Sequence, residues 1–264
     1  MQHTTLIILY SIIFIVNLIT LNGFTQEMNH NALMDSITRS TKNETETQKI
    51  AVLIYQDVVL QDFAGPIEVF SKAKKLTKGK YEIFTIALDT SIIRTENNTI
   101  RLKPDYSIKD MPDANYLIIP GASMPVINTL VQNNTFTNFI ADWNAKEKTK
   151  TVSICTGSYL LANTNALDHK KATTHYFVAD DFSKQYPKIK LIKDVRFVDE
   201  GKLITSSGIT SGIDAALHIV GKHSGEKIKQ MISRALQYKF HEKEDWPIAP
   251  NGMKYRRKTK SMNH

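Results

Sequence analysis

The chain has 264 residues, 42% hydrophobic and 23% charged, which fits a globular protein and excludes a collagenous or wholly disordered one. Its net charge of +8 is compatible with an anionic partner but requires none, because moderate basicity also serves solubility. A single cysteine rules out an intrachain disulfide, so an apolar core must hold the fold.

In chain order, residues 6–21 form an apolar, charge-free run interrupted by Tyr10, Ser11, Asn17 and Thr20. The run has the character of a signal h-region, without preceding Lys or Arg and without a clean small-x-small site after it. A cleaved export signal over residues 1–25 and a retained membrane tether through residues 6–21 both stand. The protein is expected to be periplasmic, extracellular or membrane-anchored. Residues 26–47 are rich in Asn, Thr, Ser and Glu and read as a polar linker. The domain, residues 48–240, opens with the β-branched apolar run 50–55, a strand of the kind buried on both faces of a parallel sheet. Pro66, placed as the first residue of a helix, predicts helix from there to about Leu76. Strands follow at 81–88 and 116–119, then a helix at 136–145, a strand at 151–154 and a helix at 158–162. Extended segments at 196–199 and 203–205 flank a turn at Glu200-Gly201, and helices at 213–222 and 226–238 close the domain. Strands alternating with helices predict an α/β fold with a doubly wound, mostly parallel sheet and helices on both faces. Residues 241–264 carry Lys254, Arg256, Arg257, Lys258 and Lys260 without apolar periodicity and read as a basic, disordered tail.

Three local patterns could carry chemistry. In Thr151-Val-Ser-Ile-Cys155-Thr-Gly-Ser158 a strand ends on cysteine and passes directly into a helix, a nucleophile-elbow arrangement at the carboxyl edge of the sheet. The helix N-terminus there favours thiolate over thiol. An inert buried cysteine would fit the same local pattern. Asp62, directly before Phe63-Ala-Gly-Pro66, should reach the same edge; it could act as an acid or base beside Cys155, or simply satisfy free helix amides. In Ile118-Ile-Pro-Gly121-Ala-Ser123 a strand ends in Pro-Gly, so the amides of Gly121 and Ala122 could form an oxyanion hole with that of Thr156, although a plain strand-ending turn needs the same residues. Among the histidines only His175 is kept as a pocket candidate. No metal-ligand spacing and no nucleotide phosphate loop are present, and no cofactor is expected.

With these motifs the sequence resembles the ThiJ/PfpI superfamily of class I glutamine amidotransferase-like folds, and within it isonitrile hydratases and the sensor domains of AraC-type regulators. The resemblance spans about residues 50–238. It rests on Asp62-Phe-Ala-Gly-Pro-Ile-Glu-Val-Phe70, Ile119-Pro-Gly121, Cys155-Thr-Gly-Ser158, Ala172-Thr-Thr-His175 and Arg196 through Asp214. It implies a flavodoxin-like sheet, a homodimer and a reactive elbow cysteine. It also implies Asp62, Cys155 and Thr156 at the catalytic positions of isonitrile hydratases, with hydration of a small isonitrile to an N-substituted formamide as the reaction. Ala122 departs from the second glycine of many relatives, and the absence of a His after Cys155 argues against PfpI-type proteolysis. Two further readings are a ligand sensor and a redox-responsive protein without turnover. Direct DNA binding is not expected, because the chain beyond Tyr238 is too short for two helix-turn-helix motifs.

Overall fold

A computed structural model describes residues 46–240. The segment predicted to be an export signal or anchor, most of the predicted linker and the basic tail lie outside the described residues. The core is a seven-stranded sheet in the order β10-β11-β7-β6-β1-β2-β5. Its strands are β1 (Gln48–Leu53), β2 (Tyr81–Ala87), β5 (Tyr106–Ser107), β6 (Tyr116–Ile119), β7 (Lys150–Ile154), β10 (Phe197–Asp199) and β11 (Leu203–Ser206). Every pairing is parallel except that of β10 with β11. Two-residue strands β3 (Ile93–Arg94) and β4 (Arg101–Leu102), and β8 (Lys171–Ala172) and β9 (Lys190–Leu191), form two small ribbons beside it. The central strands are buried nearly throughout, as their apolar runs require of parallel strands covered on both faces.

The helices are α1 (Leu60–Leu76), α2 (Met124–Val131), α3 (Asn134–Ala145), α4 (Gly157–Ala162), α5 (Ala179–Gln185) and α6 (Ser211–Ala235). α1 packs on α6, while α2, α3 and α4 pack on one another, so two helical layers enclose the sheet. None of the described helices is long and apolar enough to cross a membrane.

Two boundaries differ from those predicted. α1 begins at Leu60, six residues before Pro66, which lies inside the helix. The segment entering α1 is fixed by tertiary contacts: Val58 bridges Ala122, and the Val59 amide donates to Gly121 O at 2.9 Å. Asp62 is thereby drawn into the first helical turn. The two terminal helices are joined end to end as α6, interrupted at Gly225, whose φ of 83° is left-handed and breaks the helical path where the sequence predicts the gap. The second of them ends at Ala235, and Tyr238 lies beyond it.

Candidate active site

Four loops leave the carboxyl ends of β1, β6, β7 and β11 and meet at one point, the edge at which open α/β sheets bind ligands. β7 delivers Cys155. Its backbone is left-handed (φ 56°), a conformation that costs a non-glycine residue about 1–2 kcal/mol. The elbow is held from all sides: the Cys155 amide donates to Ser206 O at 3.0 Å. Its carbonyl accepts from Ser158 Oγ and Thr174 Oγ1 at 3.1 and 3.2 Å. Gly157 lets α4 start against the end of β6, since a Cβ there would lie 2.2 Å from Ile119 O.

Asp62 is fully buried. Its Oδ2 accepts from the Gly121 amide and its Oδ1 from the Ile209 amide, both at 2.9 Å, and the Cys155 thiol lies close enough to the same carboxylate to shift its pKa. Asp62 stands beside the cysteine, and its carboxylate takes its amides from other loops, not from its own helix. Burial raises the Asp62 pKa to about 6, against the lowering effect of the two amides and the thiol. Glu96 adds a smaller upward push.

Cys155 is only 6% exposed, and burial followed by the charge of Asp62 pushes its thiol well above the ordinary range. The helix N-terminus expected to favour thiolate is outweighed here. The Thr156 amide does lower the thiol pKa, but α4 is only six residues long and a buried carboxylate lies beside the sulfur, so the proton stays on it. The resting pair is a protonated thiol beside a carboxylate.

The oxyanion hole expected from Gly121 and Ala122 also differs from what is found. The Gly121 amide is committed to Asp62 and the Ala122 amide to Thr156 Oγ1 at 2.9 Å. The first of these bonds follows from Asp62 being drawn into the site, where it needs donors of its own. Thr156 has one hydroxyl proton and two acceptors, Ala122 O at 2.6 Å and the sulfur of Cys155. The short bond to Ala122 O takes it while the sulfur is protonated. Gly121 keeps this triangle open, for a Cβ would stand 2.6 Å from Thr156 Oγ1 and 2.9 Å from Asp62 Oδ2.

A cleft of about 260 Å³ is lined by His175, Tyr176 and residues 207–210. Gly208 is its floor over the sulfur: a Cβ on this residue would sit 3.1 Å from Cys155 Sγ and 3.0 Å from His175 Cδ2. His175 therefore belongs to the cleft wall, with burial lowering its pKa, and its Nδ1 accepts from the Phe177 amide at 3.4 Å. A larger cavity of about 370 Å³ is lined by Tyr55, Ala87, Ile93 and Leu130 among others. Neither Cys155 nor Asp62 lines the smaller cleft itself, but two of its wall residues adjoin them: Gly208 lies over the sulfur, and the Ile209 amide donates to Asp62 Oδ1. Among the described residues no three His, Cys, Asp or Glu side chains gather in a metal-binding group.

Sequence reasoning misses Gly208 and Ile209. Ile209 reaches Asp62 through its amide, which every residue but proline possesses, so no side-chain signal marks it. It also misses Tyr55, whose hydroxyl donates to Pro120 O at 2.5 Å and pins the end of β1 to the loop that carries Gly121.

A doubly wound α/β chain with a cysteine on a left-handed elbow and a buried acid against it is of the class I glutamine amidotransferase-like kind. The chain belongs to the DJ-1/PfpI family, whose family model matches residues 48–222. It is 29% identical to the isonitrile hydratase of Pseudomonas putida over 72% of this chain and 78% of that protein. It is 23% identical to the HTH-type transcriptional regulator GbdR of Pseudomonas aeruginosa over 72% of this chain and 51% of the regulator, so it spans about half of that relative's length. Among solved structures, a ThiJ/PfpI family protein from Pseudomonas syringae superposes with a TM-score of 0.65 at 23% identity, covering 78% of this chain and 80% of that one. Drosophila melanogaster DJ-1beta superposes with a TM-score of 0.63 at 16% identity, covering 74% and 100%. Both likenesses speak to the fold alone.

Proposed function

We propose that this protein is a hydratase acting on a small isonitrile through Cys155 and Asp62, with Thr156 as their partner. The observation that carries the reading is the buried Asp62 carboxylate, with its pKa near 6, set against the Cys155 thiol directly behind the cleft wall of Gly208 and Ile209. The likeness to an isonitrile hydratase supports it.

The terminal carbon of R–N≡C accepts both a proton and a nucleophile, and the pair supplies both. Asp62 takes the thiol proton as sulfur adds to that carbon, and returns the proton to the same carbon, leaving the thioimidate R–N=CH–S–Cys155. Thr156 turns its hydroxyl from Ala122 O to the sulfur while negative charge develops there. Water then adds to the carbon, with its proton passing through Asp62 to nitrogen. The C–S bond breaks with its electron pair on sulfur, the new hydroxyl returns a proton to it, and R–NH–CHO leaves. Atoms balance to one isonitrile and one water per formamide.

Since the ionised carboxylate starts the sequence, kcat/KM should fall as pH drops through about 6. The test is formamide production from an alkyl isonitrile by the wild type and by Cys155→Ala and Asp62→Ala. Loss of turnover by roughly 10²-fold or more in each supports the reading. A folded wild type without turnover rejects it in favour of ligand sensing or redox response, the readings the regulator relative and the lone thiol leave. The homodimer belongs to this proposal and is tested by sedimentation. So does the exported or membrane-anchored location, which rests on the charge-free apolar run at residues 6–21 and is tested by cell fractionation.

A further inference from the structure

The amide of Ile209 is one of two backbone donors on Asp62, and its residue is awkward for the task. Ile209 has a φ of 46°, and a β-branched side chain resists the left-handed region. It follows Gly208, at φ 128°, in a turn exposed at the cleft. Such a turn relaxes unless it is fixed: Ser211 Oγ accepts from the Gly208 amide at 2.6 Å, and both ends are tied to one buried residue, Arg196, the entry by its backbone carbonyl and the exit by its side chain.

Arg196 is 3% exposed and lies just before β10. Its carbonyl accepts from the Ser207 amide at 3.0 Å, which ties the entry to the turn. Its guanidinium donates from Nη2 to Thr210 Oγ1 at 3.0 Å, which ties the exit. The guanidinium is itself fixed by the fully buried Asp214 of α6, with Nε 2.6 Å from Oδ2, and by Tyr238, whose hydroxyl accepts from Nη2 at 2.7 Å. The Tyr238 hydroxyl lies 2.8 Å from Asp214 Oδ2 and 3.2 Å from Thr210 O, a second hold on the same residue. Burying an arginine and an aspartate is expensive, and an apolar pair of similar volume often stabilises as well. The placement of their bonds, on the two residues flanking Gly208 and Ile209, gives the pair a purpose beyond stability.

We propose that Arg196, supported by Asp214 and Tyr238, is a positioning residue that fixes the turn at residues 207–210 and, through the Ile209 amide, holds the Asp62 carboxylate in its reactive orientation. This rests on the hydratase reading only for its effect on turnover; its effect on Asp62 stands without it.

The charged and titratable groups around Asp62 are Cys155 after β7, Tyr55 after β1 and Glu96 in the β3–β4 ribbon. Around Arg196 they are Asp214 and Tyr238, with Asp199, His218 and Lys222 joined to one another on β10 and α6. The deciding variant leaves the Arg196–Asp214 pair intact. The double change Thr210→Val and Tyr238→Phe removes the two side-chain holds on Thr210 and leaves the bond from the Ile213 amide to its carbonyl, and Arg196→Lys removes the fork. The Asp62 carboxyl is followed by ¹³C NMR against pH, assigned through Asp62→Asn, in the full chain. With the Ile209 amide no longer fixed, the midpoint should move upward from the wild-type value by about one pH unit. The acid limb of isonitrile hydration should move with it. Folded variants with an unchanged midpoint overturn the positioning role and leave the cluster a plain buried ion pair. If Arg196→Lys does not fold, the double variant decides. A moved midpoint in a protein whose wild type shows no hydration keeps this inference and removes the hydratase reading.

Discussion

At the scale of single residues, the pairing of Asp62 with Cys155 separates chemical reactivity from catalysis. The carboxylate raises the thiol pKa, so removing its charge should leave a more readily ionised sulfur. Asp62→Asn is therefore expected to speed alkylation of Cys155 by iodoacetamide at pH 7.5 by about fivefold or more, as read by intact mass, while hydration falls. A general loss of site structure would slow both. Alkylation unchanged in the variant would mean that Asp62 does not govern the sulfur. Much of this site is legible in the sequence, because the strand ending on Cys155 and the acid after the first strand are both marked by side chains at known distances from predicted strand ends. The protonation state is not legible: it depends on how deeply the sulfur is buried and on which carboxylate faces it, quantities that exist only once four loops converge. The same holds for the amides of Gly121 and Ala122, which look free in a sequence and are engaged in the fold.

At the scale of elements, the elbow depends on α4 starting directly against the end of β6. At Gly157 an added Cβ would meet Ile119 O at 2.2 Å and Pro120 O at 2.7 Å, both backbone atoms of a buried central strand and its turn, so neither can move aside. Gly157→Ala should cost about 3 kcal/mol or more in urea unfolding, through overpacking. Gly201 makes the contrast: its φ is 82° and its Cβ position is open, so Gly201→Ala should cost only about 1 kcal/mol. Equal costs would show that the elbow tolerates separation from β6. The central strands and the break at Gly225 are readable in the sequence because long apolar runs and a glycine between two helical stretches leave strong local signals. α2 was also available, with Ser123 before it and Pro125 in its first turn, but the reading passes over it. The start of α1 was not available, since contacts between Val58, Val59 and residues 121–122 override the proline signal. Two-residue strands such as β8 and β9 are too short to show any period.

At the scale of the whole molecule, the fold is shared by relatives named as an enzyme and as transcriptional regulators, so the fold cannot choose between them and the site must. The site carries a cost that an inert scaffold would have no reason to keep. An aspartate with an ordinary pKa of 3.8 is held at about 6 in the folded chain, so the native state binds its proton more tightly than the unfolded state does. Its contribution to stability is fully present below the unfolded value and is lost as pH rises through the folded one. The span is about 2 pH units at about 1.4 kcal/mol each, so ionising Asp62 in place should cost the fold about 3 kcal/mol by pH 7. Asp62→Asn cannot ionise and lacks this dependence, while every other carboxylate is common to both proteins. Urea unfolding of the two across pH 4 to 7 should therefore show the wild type gaining on the variant by about 2.5 kcal/mol toward pH 4. A difference that stays flat would mean that Asp62 titrates normally, and the proposed proton transfer from Cys155 would go with it. A difference that follows this course means that the molecule is less stable where its carboxylate is ionised, the form in which the proposed hydration would use it as a base.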